Sequence, residues 1–261
     1  ERYCRLPLPA KPVTFRDVAS GAATAEELVG QMTANELALL CIGAARVSFT
    51  DFSVIGNASH SIPGAAGDTT DRLSRYGLPQ CAMADGPAGI RVNPKVYQRG
   101  DAYINNVEED PILGKVLPPE LRKVDLSGTE VKYQYCTALP VAVQIAQTWN
   151  PKLAELAGDV AGSEMDELGI DLWLAPGMNI HRNPLCGRNF EYYSEDPYLS
   201  GLFAAAVTRG VQKHPGKGTC IKHLAVNNQE TNRSTSNSHV SERALREIYL
   251  KGFEICVKEA Q

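Results

Sequence analysis

The seven cysteines, at 4, 41, 81, 136, 186, 220 and 256, include no C-x-x-C pair, and their odd number suits neither a disulfide framework nor a zinc cage. Several lie inside apolar runs, such as Cys41 in LALLCIG and Cys220 in GTCIKHL. They read as buried free thiols acting as small hydrophobes, which fits a reducing, cytoplasmic compartment. A start at Glu1 without methionine is also compatible with a removed secretory leader. Long apolar runs are missing too: the longest is LALLCIGAA at 37–45, against the ~20 residues a membrane helix needs. There is no basic block, and the net charge is -4, whereas binders of phosphate backbones carry a basic face. Neither nucleic acid nor a membrane is expected as a partner.

Familiar catalytic signatures are also absent. The five histidines (60, 181, 214, 223, 239) form no H-x-H and no H-E-x-x-H. His181 and His223 are candidates to meet, but Arg182, Arg188 and Lys222 beside them would repel a cation, so no metal is expected. No G-x-S-x-G elbow and no glycine-rich phosphate loop occur.

What is present is a parallel α/β rhythm. After a proline- and arginine-rich lead-in of ~20 residues, read as extended, capping boxes at Thr24/Glu27 and Thr33/Glu36 open two short helices, the second closed by Gly43. Residues 46–76 read as an ordered loop, LPQCAMADGPAGIR (78–91) as a strand ending in a turn, and 93–135 as an irregular insertion. Asn150 and Pro151 make an N-cap and N1 pair for a helix with apolar face Leu153, Leu156, Val160, Ala161 and Met165, closed by Gly169. GIDLWLAP (169–176) is a strand, 200–213 a helix and GTCIKHLAV (218–226) a strand. A last helix from Ser241 presents Leu245, Ile248, Tyr249, Gly252 and Cys256 on one face. It reaches Gln261 without a glycine or proline stop, so the protein is expected to continue. The rhythm fits a barrel or a doubly wound sheet, and only the first half of a closed eight-stranded barrel is visible.

Three charged clusters follow three strands in the same sense: Asp85 after QCAMA, Arg188 and Glu191 after DLWLAP, and Lys222 with His223 closing GTCIKH. In parallel α/β folds the carboxyl ends of strands share the face that holds the site. Asp85 in ADGP suits an Asx turn as well as a ligand contact. Lys222, in an apolar strand, needs an anionic partner or a polar ligand. The loop GRNFEYYSEDP (187–197) mixes one guanidinium, three carboxylates and three rings, a composition suited to a hydroxyl-rich ligand such as a sugar. Glu191 and Glu195, on one loop, suit arginine-holding and loop-capping roles better than a catalytic pair.

ADGPAGIR (84–91), LAPGMNIHRNPLCGRNFEYYSEDPYLSG (174–201) and IKHLAVNNQETNR (221–233), followed by SERALREIYLKGFE (241–254), resemble the (β/α) barrel domain of family 3 glycoside hydrolases of β-glucosidase type. The resemblance runs over about residues 25–261, with 1–55 a lead-in carrying two short helices and 56–261 the first part of an incomplete (β/α)8 barrel. It implies a retaining β-glycosidase removing non-reducing terminal β-D-glycosyl residues, without metal or organic cofactor. It implies that Asp85, Arg91, Arg188, Lys222 and His223 bind the glycone, with Glu191, Asn228 and Glu230 behind them. Leu224 stands where the family usually has phenylalanine. The family's aspartate nucleophile is expected beyond Gln261, and its glutamate acid/base on a separate α/β sandwich domain, so this chain would need the remainder of its polypeptide as partner. The alternative is a non-catalytic sugar-binding domain.

Overall fold

The computed structural model describes residues 6, 8–42, 59, 61–69, 71–104, 106–109, 115 and 118–260. Cys4, Gly43, His60, Gln261 and, in the loop expected over 46–76, residues 46–58 and 70 lie outside them.

The lead-in is not wholly extended. Thr14 caps a short helix, Phe15–Ala19, with its backbone N–H and hydroxyl both donating to Asp17 Oδ2, at 2.8 and 2.7 Å. The two expected capping boxes form as read. Thr24 N–H reaches Glu27 Oε2 at 2.8 Å before the helix Ala25–Gly30, and Thr33 N–H reaches Glu36 Oε2 at 2.8 Å before Ala34–Ile42. Leu28, Met32, Leu73 and Tyr76 close a small cluster beneath these helices.

The central sheet has four strands: β1 (Gly67–Asp68), β2 (Ala82–Ala84), β6 (Leu172–Trp173) and β7 (Gly218–Thr219), in spatial order β1-β2-β6-β7. Strands β2, β6 and β7 are parallel, with Ala84 beside Trp173 and Trp173 beside Thr219, while β1 runs antiparallel to β2. The region read as loop up to residue 76 thus contains β1 and a 3-10 turn, Asp71–Tyr76. β7 is far shorter than the strand expected over 218–226; past Thr219 only Lys222 bridges, to Gly177.

Among the described residues, part of the insertion is regular. β3 (Lys95–Arg99), β4 (Ala102–Ile104) and β5 (Glu130–Tyr133) form an antiparallel sheet in the order β4-β3-β5. KVYQR and AYI are joined by Gly100, at φ 59°, and Asp101 in a tight hairpin. All four residues of β5 and two of the three in β4 are exposed, so these strands carry no buried face whose alternation would mark them.

Crossover helices Pro151–Leu168 and Pro197–Gln212 connect the parallel strands, and the chain closes on a helix that packs against the latter. Asn150 Oδ1 accepts from Lys152 N at 3.1 Å, and Gly169 closes the first helix at φ 72°, as its sequence foretells. Its buried face meets the expected one at Ala161 and Met165 but departs from it elsewhere. Ala154, Gly158, Ala161, Gly162 and Met165 are buried, while Leu153 and Leu156 remain 45% and 56% exposed. Two backbones meet there: a Cβ on Gly158 would stand 2.0 Å from the Val207 carbonyl oxygen, and one on Gly210 would stand 2.1 Å from that of Glu155. The closing helix follows a π-turn, Leu245–Tyr249, and buries Gly252 and Cys256 of the expected face together with Phe253 and Ile255. Of the cysteines, Cys186 and Cys256 are buried, whereas Cys41 and Cys220 are exposed, contrary to their apolar surroundings in sequence.

Because neither backbone can retreat from that crossing, Gly158→Ala is expected to cost about 1–3 kcal/mol. In the full-length protein this appears as a lowered urea midpoint at unchanged m-value. An unchanged midpoint would mean that the helices slide apart freely.

Candidate functional site beyond β2, β6 and β7

The segment after β2 folds back on itself. Gly86, at φ 106°, and Gly89, at φ 127°, allow a tight turn closed by Gly89 N–H on the Gly86 carbonyl at 3.1 Å. Trp173 of β6 donates its indole N–H to the Gly86 carbonyl at 3.0 Å and fixes the turn to the sheet. Arg91 returns beside Asp85, its N–H on the Asp85 carbonyl at 2.9 Å and its guanidinium on Asp85 Oδ2 at 2.8 Å.

The other carboxylate oxygen of Asp85 takes Lys222 Nζ at 2.5 Å. Burial works against the charge of Asp85, but the Lys222 ammonium, the Gly86 N–H and Arg91 outweigh it and hold the carboxyl below its usual range. Asp85 is therefore an ion with two cationic neighbours, and the anion that the part-buried Lys222 requires.

Beyond β6 the backbone zips onto the backbone beyond β7. Lys222 N–H donates to the Pro176 carbonyl at 3.1 Å, and Met178 N–H to the Lys222 carbonyl at 2.8 Å. Asn179, buried, completes the seam: its Oδ1 accepts from His223 N–H and its Nδ2 donates to the His223 carbonyl, both at 2.8 Å. Because β7 has already ended, Lys222 and His223 need not point to opposite faces, and both join the site.

Arg188 occupies the middle of the second half. Its Nε is paired with Glu191, a carboxylate 5% exposed, and its Nη1 lies 3.9 Å from Glu230. Its carbon centre stands 5.9 Å from the Tyr192 ring. Burial opposes the charge on Arg188, and Glu191 with its neighbours overcomes that and strengthens it. Arg188 Nη2 meets His223 Nε2 at 2.9 Å. A guanidinium only donates, so Nε2 must be the acceptor and the imidazole is neutral with its proton on Nδ1. Nδ1 lies 3.2 Å from the Tyr192 hydroxyl and 3.3 Å from Asn179 Oδ1. Burial first, then the charges of Arg188 and Lys222, push the His223 pKa down to about 4.

The five expected ligand residues thus form two linked groups, Arg91–Asp85–Lys222 and His223–Arg188, joined through the 222–223 peptide. Glu191 and Glu230 flank Arg188. Asn228 donates to the Ile180 carbonyl at 2.6 Å, and its Oδ1 is buried without a partner among the described residues. Glu195 is exposed on the same loop. His181 turns away from His223, its Nε2 on the Tyr192 carbonyl at 3.1 Å, and no metal-binding group of three donors occurs among the described residues. Sequence reasoning missed Asn179, Tyr192 and Asn227, whose Nδ2 donates to the Tyr192 hydroxyl at 3.1 Å. The one available signal was a lone asparagine among apolar residues in LAPGMNI.

A histidine that titrates near 4 in the folded protein and near 6.5 when unfolded makes the unfolded chain the better proton binder between those values. Its contribution to stability is complete above pH 6.5 and is lost as the pH falls towards 4. Unfolding midpoints of the full-length protein should fall across this window, and His223→Gln should flatten the slope. An imidazole NMR titration centred near pH 6.5 for His223 would contradict the assignment.

Residues 104–261 match the glycosyl hydrolase family 3 N terminal domain. Beta-glucosidase A of Butyrivibrio fibrisolvens is 38% identical over 253 residues, covering 97% of this chain and 24% of that protein. The structure of beta-glucosidase 3B from Thermotoga neapolitana in complex with glucose superposes with a TM-score of 0.66 at 44% identity, over 90% of this chain and 27% of the other. A beta-glucosidase from Paenibacillus barengoltzii gives a TM-score of 0.71 at 36% identity, over 100% of this chain and 23% of the other. The chain therefore spans about a quarter of the length of these relatives. Since the family match covers more than half of the sequence, the chain belongs to glycosyl hydrolase family 3 and carries its N-terminal domain.

Proposed function

We propose that the intact protein is a retaining β-glycosidase of β-glucosidase type that removes non-reducing terminal β-D-glycosyl residues, and that this chain grips the glycone. The carrying observation is the Arg91–Asp85–Lys222 array beside Arg188–His223. An acceptor-only carboxylate, two donor-only cations and a guanidinium face one region beyond the parallel strands. Such a set matches sugar hydroxyls, each of which both donates and accepts. Asp85, kept ionised by Lys222 and Arg91, would accept from two hydroxyls. Arg188, held from behind by Glu191 and Glu230, would donate. His223 would aim the guanidinium and wall the pocket, and Asn228 would support the loop beneath.

In this reading 1–55 is a lead-in, and 56–261 is the first part of a (β/α)8 barrel to which β2, β6 and β7 belong. The nucleophile is an aspartate beyond Gln261 and the acid/base a glutamate of an α/β sandwich domain. No cofactor takes part. Relatives that are beta-glucosidases, one in complex with glucose, support the substrate class.

The full-length protein should hydrolyse an aryl β-glucoside and release β-glucose first, as retention requires. Asp85→Asn should lower kcat/KM by about a hundredfold or more, since each charged hydrogen bond contributes roughly 1.5–3 kcal/mol, with the circular-dichroism spectrum unchanged. An unchanged kcat/KM would return Asp85 to the turn-forming role. Binding of glucose without any turnover in the full-length protein would favour the non-catalytic sugar binder.

Residues 1–261 expressed alone should have no activity on the same glucoside. Turnover by that piece would bring Glu191, Glu195 and Glu230 back as catalytic candidates.

A further inference from the structure

A second ligand-sized cleft, of about 410 Å³, opens between the β3–β5 sheet and the carboxyl end of the Pro151–Leu168 helix. Its walls include Tyr103, Tyr133 and Tyr135, with Lys132, Gln134 and Glu167 among them. These three tyrosines are 37%, 61% and 74% exposed, an unusual gathering of aromatic surface on one small sheet. The rings of Tyr133 and Tyr135 are stacked, 15° from parallel with centroids 5.7 Å apart, so the pair offers an outer ring face rather than two rings side by side. Gln134 is preset by its Nε2 on the Pro63 carbonyl at 2.8 Å. One cation, one carboxylate and one amide thus surround a stacked aromatic pair.

The cleft is separate from the site described above. Leu168 lies 17 residues after Pro151, about 25 Å along the helix at ~1.5 Å per residue. It precedes the amino end of β6, whereas Asp85, Arg188 and Lys222 gather beyond the carboxyl ends of the parallel strands.

We propose that this cleft is an accessory saccharide-binding site, which holds a β-glucan chain or oligosaccharide without cleaving it; the choice of sugar rests on the glycosidase reading. Tyrosine rings present the apolar face that the C–H side of a pyranose covers, and keep a hydroxyl for the rim. The volume lies within the range of small-molecule pockets, and polar groups of both signs converge on it. A purely apolar partner would leave Lys132 and Glu167 buried and unpaired at a cost. The site raises the local concentration of polymer around the enzyme by tethering it.

The test uses the full-length protein in native gels containing a soluble mixed-linkage β-glucan. Wild type should be retarded, and Tyr133→Ala/Tyr135→Ala should lose retardation, with an apparent Kd at least about tenfold higher. Its kcat/KM on an aryl β-glucoside should stay within about twofold of wild type. Asp85→Asn should do the reverse, retarded but inactive. Tyr135→Trp, which keeps the ring, should remain retarded and guards against a folding artefact. Unretarded wild type, equal retardation of the double variant, or a parallel loss of aryl-glucoside turnover in it would each overturn the accessory site. Retardation of a wild-type protein that never turns over the glucoside would overturn the glycosidase reading and leave the cleft standing.

Discussion

Lys222 is an ammonium that the fold cannot leave alone, and Asp85, 137 residues earlier in the sequence, is the charge that answers it. The pair spans the sheet from the end of β2 to the end of β7, across β6. Removing one member of a buried pair costs roughly 3–5 kcal/mol, because the survivor stays desolvated. Here both members are only part-buried, so the cost is smaller, but the logic holds. Arg91 adds a second cation to the same carboxylate, and the turn at Gly86 exists in the form that brings it there. The electrostatics of the cluster thus fix where the ends of two strands stand relative to each other.

Helix packing makes that arrangement reachable. At Gly158 and Gly210 two helices touch backbone to backbone, and at Gly201 a Cβ would meet Ile255 Cβ at 2.8 Å. Close helices pull their strands close, so side chains from three strand ends meet over a short span. Bulk is supplied instead by Trp173, Phe203, Met165 and Ile170, all at most 2% exposed in the same core.

The sequence was most readable where one residue type answers one local need. Thr24, Thr33, Asn150 and Gly169 are such cases: each satisfies or ends a helix terminus by itself, and each does so in the fold. It was least readable where packing decides. Leu153 and Leu156 look like a core face but are outbid by small residues whose merit is the space they leave. In the last helix Gly252 and Cys256 are buried as their period foretells, whereas the π-turn at 245–249 is something no 3.6-residue pattern encodes. The β3–β5 sheet hid because alternation needs one buried face, and all four residues of β5 and two of the three in β4 are exposed. At the candidate site the charged residues stood out by type, whereas Asn179 and Tyr192 act through hydrogen bonds to groups far away in sequence, which no spacing reveals.

The seam between residues 176–179 and 222–223 is made almost wholly of main-chain groups: Pro176 and Lys222 carbonyls, the N–H groups of Met178 and Lys222, and both backbone polar atoms of His223 held by Asn179. Position 223 is thus anchored by atoms that every residue but proline possesses. Its imidazole could be exchanged over evolutionary time for another side chain while the peptide stayed where it is. The stretch separates what holds the chain in place from what meets a ligand, and so offers descent a site whose chemistry can drift without the scaffold drifting with it.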